Sequence, residues 1–421
     1  MNTVTKIKKH LAFFKLKKLV IASLLVGFLS TFLALALKHI TEHYEEIFFR
    51  QASEHAIYFV LFPLFGLVVI YFLRQYLFKG KSNKGITEIF ESTQSRTKNL
   101  PLYKIPSHFI NGFLTVIFGG STGIEVSTVV ASAAIGSAAQ QKANFFRQYK
   151  TELICAGVAA GITALFSSPA AGILFALEVI AKKRTRVFFL STILAVVVAS
   201  ALLYLAQEPP LFALTITTWH FYAIPYFVLL GVLAGMHSVY LTKTVLFFKS
   251  LLARIEIDFY RILAGAALLG VALLFLPQLY GDGYHAIKAL LQSPQVFSLP
   301  FLILIGAVLL LKPVVTSATL AAGGDGGIFA PSLFLGAFLG LFTALILNTY
   351  LGAQVIVVNF VVLGMAAMLS ASIHAPFTAL FLVCGIVDDY TLFFPILLIC
   401  LISKYTAKAL CPYTVYTFQK N

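Results

Sequence analysis

Charged residues are scarce in this sequence: they make up only 11% of its 421 residues, and just 16 residues are Asp or Glu. A soluble domain carries about 25% charged residues, so this composition excludes a soluble enzyme and a disordered chain. Cysteine is equally scarce. The four cysteines lie in or beside apolar stretches, with a spacing that suits neither a disulfide framework nor a metal site, and we expect them to be small buried hydrophobic residues.

Apolar residues take the place of the missing charges. Hydrophobic residues make up 59% of the chain, 40 of its residues are Phe, and its mean hydropathy is +0.91. Runs of about 18 or more apolar residues recur along the chain, the length that an α-helix needs to cross a bilayer core of about 30 Å. The sequence therefore predicts an all-α polytopic membrane protein.

The charges that are present are unbalanced, because 31 Lys and Arg against 16 Asp and Glu give a net charge of +15. A soluble basic surface would indicate nucleic-acid binding, but here short basic clusters alternate with apolar runs, as cytoplasmic loops do. The basic segment 1–18 precedes the first run, and an acidic group that we expect to form an outer loop follows it. This group is Glu42, Glu45, Glu46 and Glu54. We expect both termini in the cytoplasm and no nucleic-acid partner.

Some apolar stretches are interrupted and too short to cross a membrane. Leu153–Leu165 and Gly172–Ala181 are separated by Ser-Ser-Pro, which predicts re-entrant or broken helices. Irregular backbone at membrane depth is tolerated only where it is buried or lines a cavity. We therefore expect a polar group to be held near these breaks.

The interruptions also repeat along the chain. A glycine-rich segment at 119–123 recurs at 323–327, about 204 positions later, and the Ser-Pro segment at 168–169 recurs as Ala-Pro with an offset of about 207. Two halves with the same order of elements, approximately 50–205 and 215–410, are the simplest interpretation. Broken helices at corresponding positions of two halves indicate a transporter site.

The second glycine-rich segment continues as GGIFAP and then as an apolar helix. Pro331 suits the first turn of that helix, where its missing N–H has no partner to lose. The free backbone N–H groups of Ile328 and Phe329, together with the positive end of the helix dipole, predict an anion site. The alternative is a close helix contact made by glycine, which we prefer for the glycines of the helix that follows.

Five segments together resemble the CLC family of chloride channels and proton-coupled chloride exchangers. GGIFAP resembles the family's GxFxP motif, and the others resemble the family's further motifs in the family's order. They are 83–88 (NKGITE), 120–136 (GSTGIEVSTVVASAAIG), 172–179 (GILFALEV) and 415–417 (VYT).

This resemblance implies an all-α fold of two inverted-topology repeats with broken and re-entrant helices. It also implies a homodimer in the cytoplasmic membrane with one anion pathway in each subunit. We expect one transmembrane domain over residues 1–421 without a cytosolic regulatory domain, which is typical of bacterial members. Chloride or another small anion is the expected substrate, and no cofactor, metal or enzymatic activity is expected.

The resemblance carries over residue by residue at the anion site. Ile328 and Phe329 match donors of backbone N–H groups, with Gly327 directly before them. Tyr416 matches a tyrosine that donates its hydroxyl to the anion, although Tyr413 lies close enough in the chain to be the true match.

The departures from the family pattern concern its two acids. Thr122 stands at the external gating glutamate, and Glu125 one turn further on is either a substitute gate or a cap of its own helix. Val179 stands at the internal proton glutamate, beside Glu178, which we expect to pair with the basic cluster at 182–186. Lys84 stands at the serine of the central site, where it either deepens the anion well or belongs to the basic cytoplasmic face.

The loss of both acids favours uncoupled, channel-like permeation of chloride. Two alternatives stay open: a proton-coupled antiporter that uses Glu125 as its gate, and a fluoride-selective member of the same family. An intramembrane enzyme is disfavoured because the sequence contains no HExxH motif for a catalytic zinc ion.

Overall fold

The computed structural model of the chain describes residues 2–81, 83–95, 98–141, 148–181, 184–212, 214–292 and 298–418, with the backbone alone at 2–15 and 141. Sixteen α-helices make up most of these residues, and within them no β-strand forms. In chain order the helices are α1 (Asn2–Glu54), α2 (Tyr58–Phe72), α3 (Ile86–Gln94), α4 (Lys104–Ile117), α5 (Glu125–Gln141), α6 (Lys150–Phe166), α7 (Pro169–Phe175), α8 (Arg186–Ala206), α9 (Ile224–Leu252), α10 (Asp258–Phe275), α11 (Tyr284–Gln292), α12 (Leu299–Ala321), α13 (Phe329–Tyr350), α14 (Val357–Ile373), α15 (Pro376–Val387) and α16 (Phe393–Leu410).

Eight helices in the described ranges are long and apolar enough to cross a membrane, namely α1, α2, α8, α9, α10, α12, α13 and α16. Helices α7, α14 and α15 are apolar but shorter, as the interrupted stretches of the sequence predict. Helix α13 is the most enclosed of the eight, because 89% of its apolar window is buried against 22% in α2. The helix that follows GGIFAP therefore lies in the interior of the protein.

Helix α1 corrects one expectation. Glu42, Glu45 and Glu46 lie on this continuous helix and not in a loop, and Glu54 is its last residue. No Gly or Pro interrupts the chain between Gly27 and Glu54, and glutamate is a good helix former, so the helix runs on past its apolar part.

Corresponding breaks in the two halves have the same backbone geometry. Helix α6 ends at Phe166 and α14 at Ile373, and the residues that follow them, Ser167 and His374, are left-handed with φ values of 51° and 57°. In each half the next helix then begins at a proline, Pro169 or Pro376. A proline at a first helical position has its φ already set for the helix, which makes the restart favourable. The two halves therefore repeat the same all-helical order of break and restart, as the two repeats implied by the resemblance require.

The central helix pairs of the two repeats also pack alike, with small residues between backbones. A Cβ placed on Gly136 of α5 would lie 2.2 Å from the carbonyl oxygen of Leu153 in α6. A Cβ on Gly340 of α13 would lie 2.0 Å from the carbonyl oxygen of Phe360 in α14. Such close approach is typical of membrane helix interfaces, where packing rather than burial from water drives association.

We expect Gly340→Ala to destabilise the protein by about 2 kcal/mol, because the obstacle is backbone that cannot move aside. Gly306→Ala in α12 is the matched control, since nothing lies within 4 Å of the added Cβ. Thermal unfolding of both purified variants in the same detergent checks this. A Gly340→Ala protein that unfolds at or above the temperature of Gly306→Ala would contradict the close packing.

Candidate anion site

The two glycine-rich breaks meet at the centre of the protein. Gly123 and Gly327 form an antiparallel bridge in which the N–H of Gly123 donates to the carbonyl oxygen of Gly327 at 3.4 Å. Gly119 and Gly323, at corresponding positions, have φ values of +82° and +102°. Residues with a side chain are disfavoured at such positive φ values, so glycine allows both glycine-rich segments to turn toward the bridge.

Reciprocal hydrogen bonds hold the crossing. The N–H of Ser121 donates to the Thr319 hydroxyl at 3.2 Å, and the N–H of Asp325 donates to the Thr115 hydroxyl at 2.9 Å. Each repeat thus satisfies a backbone group in the break of the other, as buried backbone requires.

The amino terminus of α13 points into this crossing without a side-chain cap. Ile328 precedes the helix, and its backbone N–H donates to the hydroxyl oxygen of Tyr416 at 3.1 Å. Phe329 begins the helix and is buried. A Cβ on Gly327 would lie 2.1 Å from a methyl carbon of Val126 and 2.9 Å from the Tyr416 hydroxyl, so only glycine at position 327 lets these two side chains approach the turn so closely. These uncapped N–H groups and one hydroxyl have the chemistry of an anion site.

The structure distinguishes the two C-terminal tyrosines by place. Tyr416 reaches the GGIFAP turn, whereas the ring of Tyr413 packs on Phe418 with centroids 4.9 Å apart. The intervening turn is held by Thr414 and Thr417, whose hydroxyls accept from each other's backbone N–H. The hydroxyl of Tyr416 is the one that adjoins the N–H groups of α13.

The two gating candidates are both buried but differ in their partners. The Thr122 hydroxyl donates to the backbone carbonyl of Asp325 at 3.2 Å. Glu125 is only 1% exposed, and its Oε1 accepts from the hydroxyl of Tyr284 at 2.6 Å. Its Oε2 lies beside Gly123 and makes no hydrogen bond within the described part of the chain, and the carboxyl as a whole adjoins the backbone of Ala330 in the first turn of α13.

Lys84 lies in the segment before α3, and its side chain is exposed. Its backbone N–H donates to Glu88 Oε1, which also accepts from Lys104 Nζ at 2.8 Å. The neighbouring Asn83 turns inward and donates to Asp325 Oδ2. The place of Lys84 at the anion site stays a prediction.

A buried histidine that the sequence did not single out adjoins the second break. His108 in α4 is fully buried, and its Nδ1 lies 3.1 Å from Asp325 Oδ2. Asp325 Oδ1 accepts from the N–H of Gly326 at 3.0 Å. The acid of the second break is therefore oriented by groups from both repeats.

The internal position differs from what we expected for Glu178. Val179 and Glu178 lie on the π-helical turn Ala176–Ile180 that continues α7. Glu178 Oε2 accepts from both the N–H and the hydroxyl of Thr378 at 2.7 Å, at the first turn of α15. It thereby caps that helix, where a carboxylate is favoured by the dipole. The expected partner was the basic cluster 182–186. Within the described residues Arg184 and Arg186 make no ion pair with Glu178, and 182 and 183 lie outside those residues.

The fold and the site together define a class, a polytopic helical protein in which broken helices from two repeats meet in the interior, at a helix start without a side-chain cap. The family model for voltage gated chloride channels matches residues 65–408. The chain belongs to this CLC family, whose members transport anions.

Relatives and solved structures agree with this membership. The voltage-gated ClC-type chloride channel ClcB of Salmonella typhi is 25% identical over 308 residues, and that of Escherichia coli O81 is 27% identical over 320, each match covering 72% of both chains. A slow cyanobacterial Cl⁻/H⁺ antiporter has the same fold with a TM-score of 0.83 at 22% identity, covering 95% of this chain and 96% of the other. A CLC-type fluoride/proton antiporter gives 0.79 at 24% identity, covering 96% and 98%.

We expect Tyr416→Phe to weaken chloride binding about tenfold, because a hydrogen bond to a charged group contributes about 1.5 kcal/mol or more. The control is Tyr413→Phe, which removes a tyrosine hydroxyl three residues away, outside the GGIFAP turn. Calorimetric titration of both detergent-purified variants with chloride measures the effect. A larger loss in Tyr413→Phe would reverse the assignment of the two tyrosines.

Proposed function

We propose that this protein transports chloride across the cytoplasmic membrane and that the Glu125 carboxyl is its gate. The observation that supports the proposal is the place of that carboxyl: it is buried in the crossing of the two breaks, beside Gly123 and next to the backbone of Ala330 in the first turn of α13. Ala330 directly follows Ile328 and Phe329, whose N–H groups an anion would use.

The gating chemistry follows from competition between the Glu125 carboxylate and chloride for the positive amino-terminal end of α13. An ionised Glu125 carboxyl is attracted by the amino-terminal end of α13, as chloride is. When the carboxyl takes up a proton it loses that attraction, and chloride can take its place. When the carboxyl takes up its proton from one side of the membrane and releases it to the other, alternation between these two states exchanges chloride for protons, which is the mode that we propose.

Uncoupled permeation is the second candidate, and the cytoplasmic side favours it. Val179 cannot hold a proton, and the neighbouring Glu178 is engaged by Thr378. In this mode the Glu125 carboxyl still opens and closes the path, but no proton crosses with the anion. The similar proteins do not decide the mode, since the relatives are called channels and the solved structures are called antiporters.

We further propose a homodimer with one path in each subunit and with both termini in the cytoplasm. The basic N-terminal segment supports this orientation through the bias of cytoplasmic loops toward Lys and Arg. We define the outer face as the face opposite that segment. Transport of an anion requires no cofactor in this scheme.

We expect Glu125→Gln to abolish proton movement driven by a chloride gradient in proteoliposomes while chloride efflux persists, because glutamine cannot exchange a proton. Wild-type chloride efflux should rise as the pH falls and the carboxyl is protonated, and the variant should lose this dependence. Glu46→Gln, which removes an exposed carboxyl of α1, is the control. Wild-type protein that carries chloride with no proton movement would establish the uncoupled mode. A Glu125→Gln protein with an unchanged pH profile would refute Glu125 as the gate.

Chloride efflux should exceed fluoride efflux under equal gradients. Fluoride holds its water more firmly than chloride, and the site lies against the apolar rings of Phe329 and Phe175, whose centroids are 5.5 Å apart. Such surroundings replace little of a strong hydration shell. Parallel efflux measurements with ion-selective electrodes check this, and faster fluoride efflux would favour the fluoride-selective alternative.

A further inference from the structure

A small cavity lies on the outer side of Glu125. It has a volume of about 20 Å³, enough for one water molecule, and it lies among the outer part of α1, the start of α5 and the start of α11. Its polar lining includes Glu42, Lys38, Asp282, Tyr284 and Glu125 itself. Glu42 is half-buried, so the cavity lies between the buried carboxyl of Glu125 and the partly exposed carboxyl of Glu42.

Hydrogen bonds connect the groups around this cavity. The Tyr284 hydroxyl donates to Glu125 Oε1 at 2.6 Å, and the Tyr284 N–H donates to Asp282 Oδ1 at 2.8 Å. The N–H of Asp282 donates to Glu45 Oε1 at 3.1 Å. Glu125 Oε2 has no hydrogen-bond partner among the residues that the structure describes, which leaves a buried acceptor available for a water or a proton.

A buried lysine fixes the segment that carries Asp282. Lys312 lies inside the spanning helix α12 and is fully buried, and its Nζ donates to the carbonyl oxygens of Leu279 and Gly281 at 3.2 Å each. The same ammonium lies 4.6 Å from the centroid of the Phe334 ring of α13. An ionisable residue within a membrane span is costly, so its presence there indicates a functional role. Here it ties the outer loop to the helix of the anion site.

Building on the proposed gate, we propose that Glu125 exchanges its proton with the outer solution through this cavity, with Asp282 as the group that passes the proton on. A proton from outer water binds the Asp282 carboxylate and then moves through a cavity water to the Glu125 carboxylate. Only O–H bonds break and form, and the reverse sequence releases the proton. Tyr284 is a positioning residue that holds Glu125 toward the cavity.

The charges around the cavity suit protons better than anions. Glu42, Asp282 and Glu125 face it, with Glu45 behind Asp282, and their negative charges oppose the entry of chloride. The positive charge of Lys38 is already paired with Glu208, at 2.7 Å.

Asp282 itself lies in the connection between α10 and α11, outside the spanning helices. Burial and the negative charges of Glu125 and Glu42 raise the pKa of this carboxyl above its usual value, against the lowering effects of the Tyr284 N–H and the Lys312 ammonium. A raised pKa brings an acid nearer to the pH at which it can exchange protons efficiently.

The test compares Asp282→Asn with Glu46→Gln in proteoliposomes. Asparagine keeps the acceptor for the Tyr284 N–H but cannot exchange a proton. We expect chloride-driven proton movement to fall about tenfold. The midpoint of the chloride-efflux pH profile should move down by about half a pH unit or more, because a negative charge that favours protonated Glu125 is gone. Efflux at the acid plateau should stay near that of wild type.

A second variant, Glu42→Gln, should shift the midpoint in the same direction, and Glu46→Gln should shift neither quantity. The route is wrong if Asp282→Asn matches Glu46→Gln in both measurements while Glu125→Gln abolishes the pH dependence. If Glu125→Gln keeps the pH dependence, the gate assignment itself fails and the route fails with it. If the wild type moves no protons, the midpoint of the chloride-efflux pH profile alone decides whether the route through Asp282 is right.

Discussion

The crossing of the two glycine-rich breaks is the constraint on which the site depends. One backbone hydrogen bond joins Gly123 to Gly327, and reciprocal bonds to Thr319 and Thr115 flank it. These contacts satisfy backbone groups that no water can reach in a membrane. Because the chain turns at the same place in both repeats, α5 and α13 both begin beside the bridge. The anion site is thus a consequence of how the two repeats close on each other.

The scaffold is nearly symmetric, but the chemistry at its two helix starts is not. Helix α5 begins with Glu125, whereas α13 begins with Phe329 at the corresponding position of the second repeat. One repeat therefore presents the N–H groups at the start of α13 with an aromatic ring, and the other presents a carboxyl beside that start. Tyr284 holds one oxygen of this carboxyl, which adjoins the backbone of Ala330. A positive helix end and an ionisable competitor are what an anion gate needs.

The sequence predicts the class, the repeat and the GGIFAP turn, because hydropathy, fixed offsets and glycine-proline spacing are local signals. It also marks Glu125, since an acid in an apolar stretch is conspicuous. It does not predict the partner of Glu178, because Thr378 lies 200 positions away. The roles of Asp282 and His108 are equally invisible, since only the fold brings them to Glu125 and to the second break. Lys312 could have been singled out from the sequence, because it is a lysine within an apolar run.

The central claim is that Glu125 and a halide compete for the amino terminus of α13. Anomalous diffraction from crystals soaked in bromide tests it most directly. The account predicts a bromide peak beside the N–H groups of Ile328 and Phe329 and the hydroxyl of Tyr416 in wild type, and an additional peak beside Ala330 in Glu125→Gln. Bromide that avoids the α13 terminus in both proteins would contradict the account.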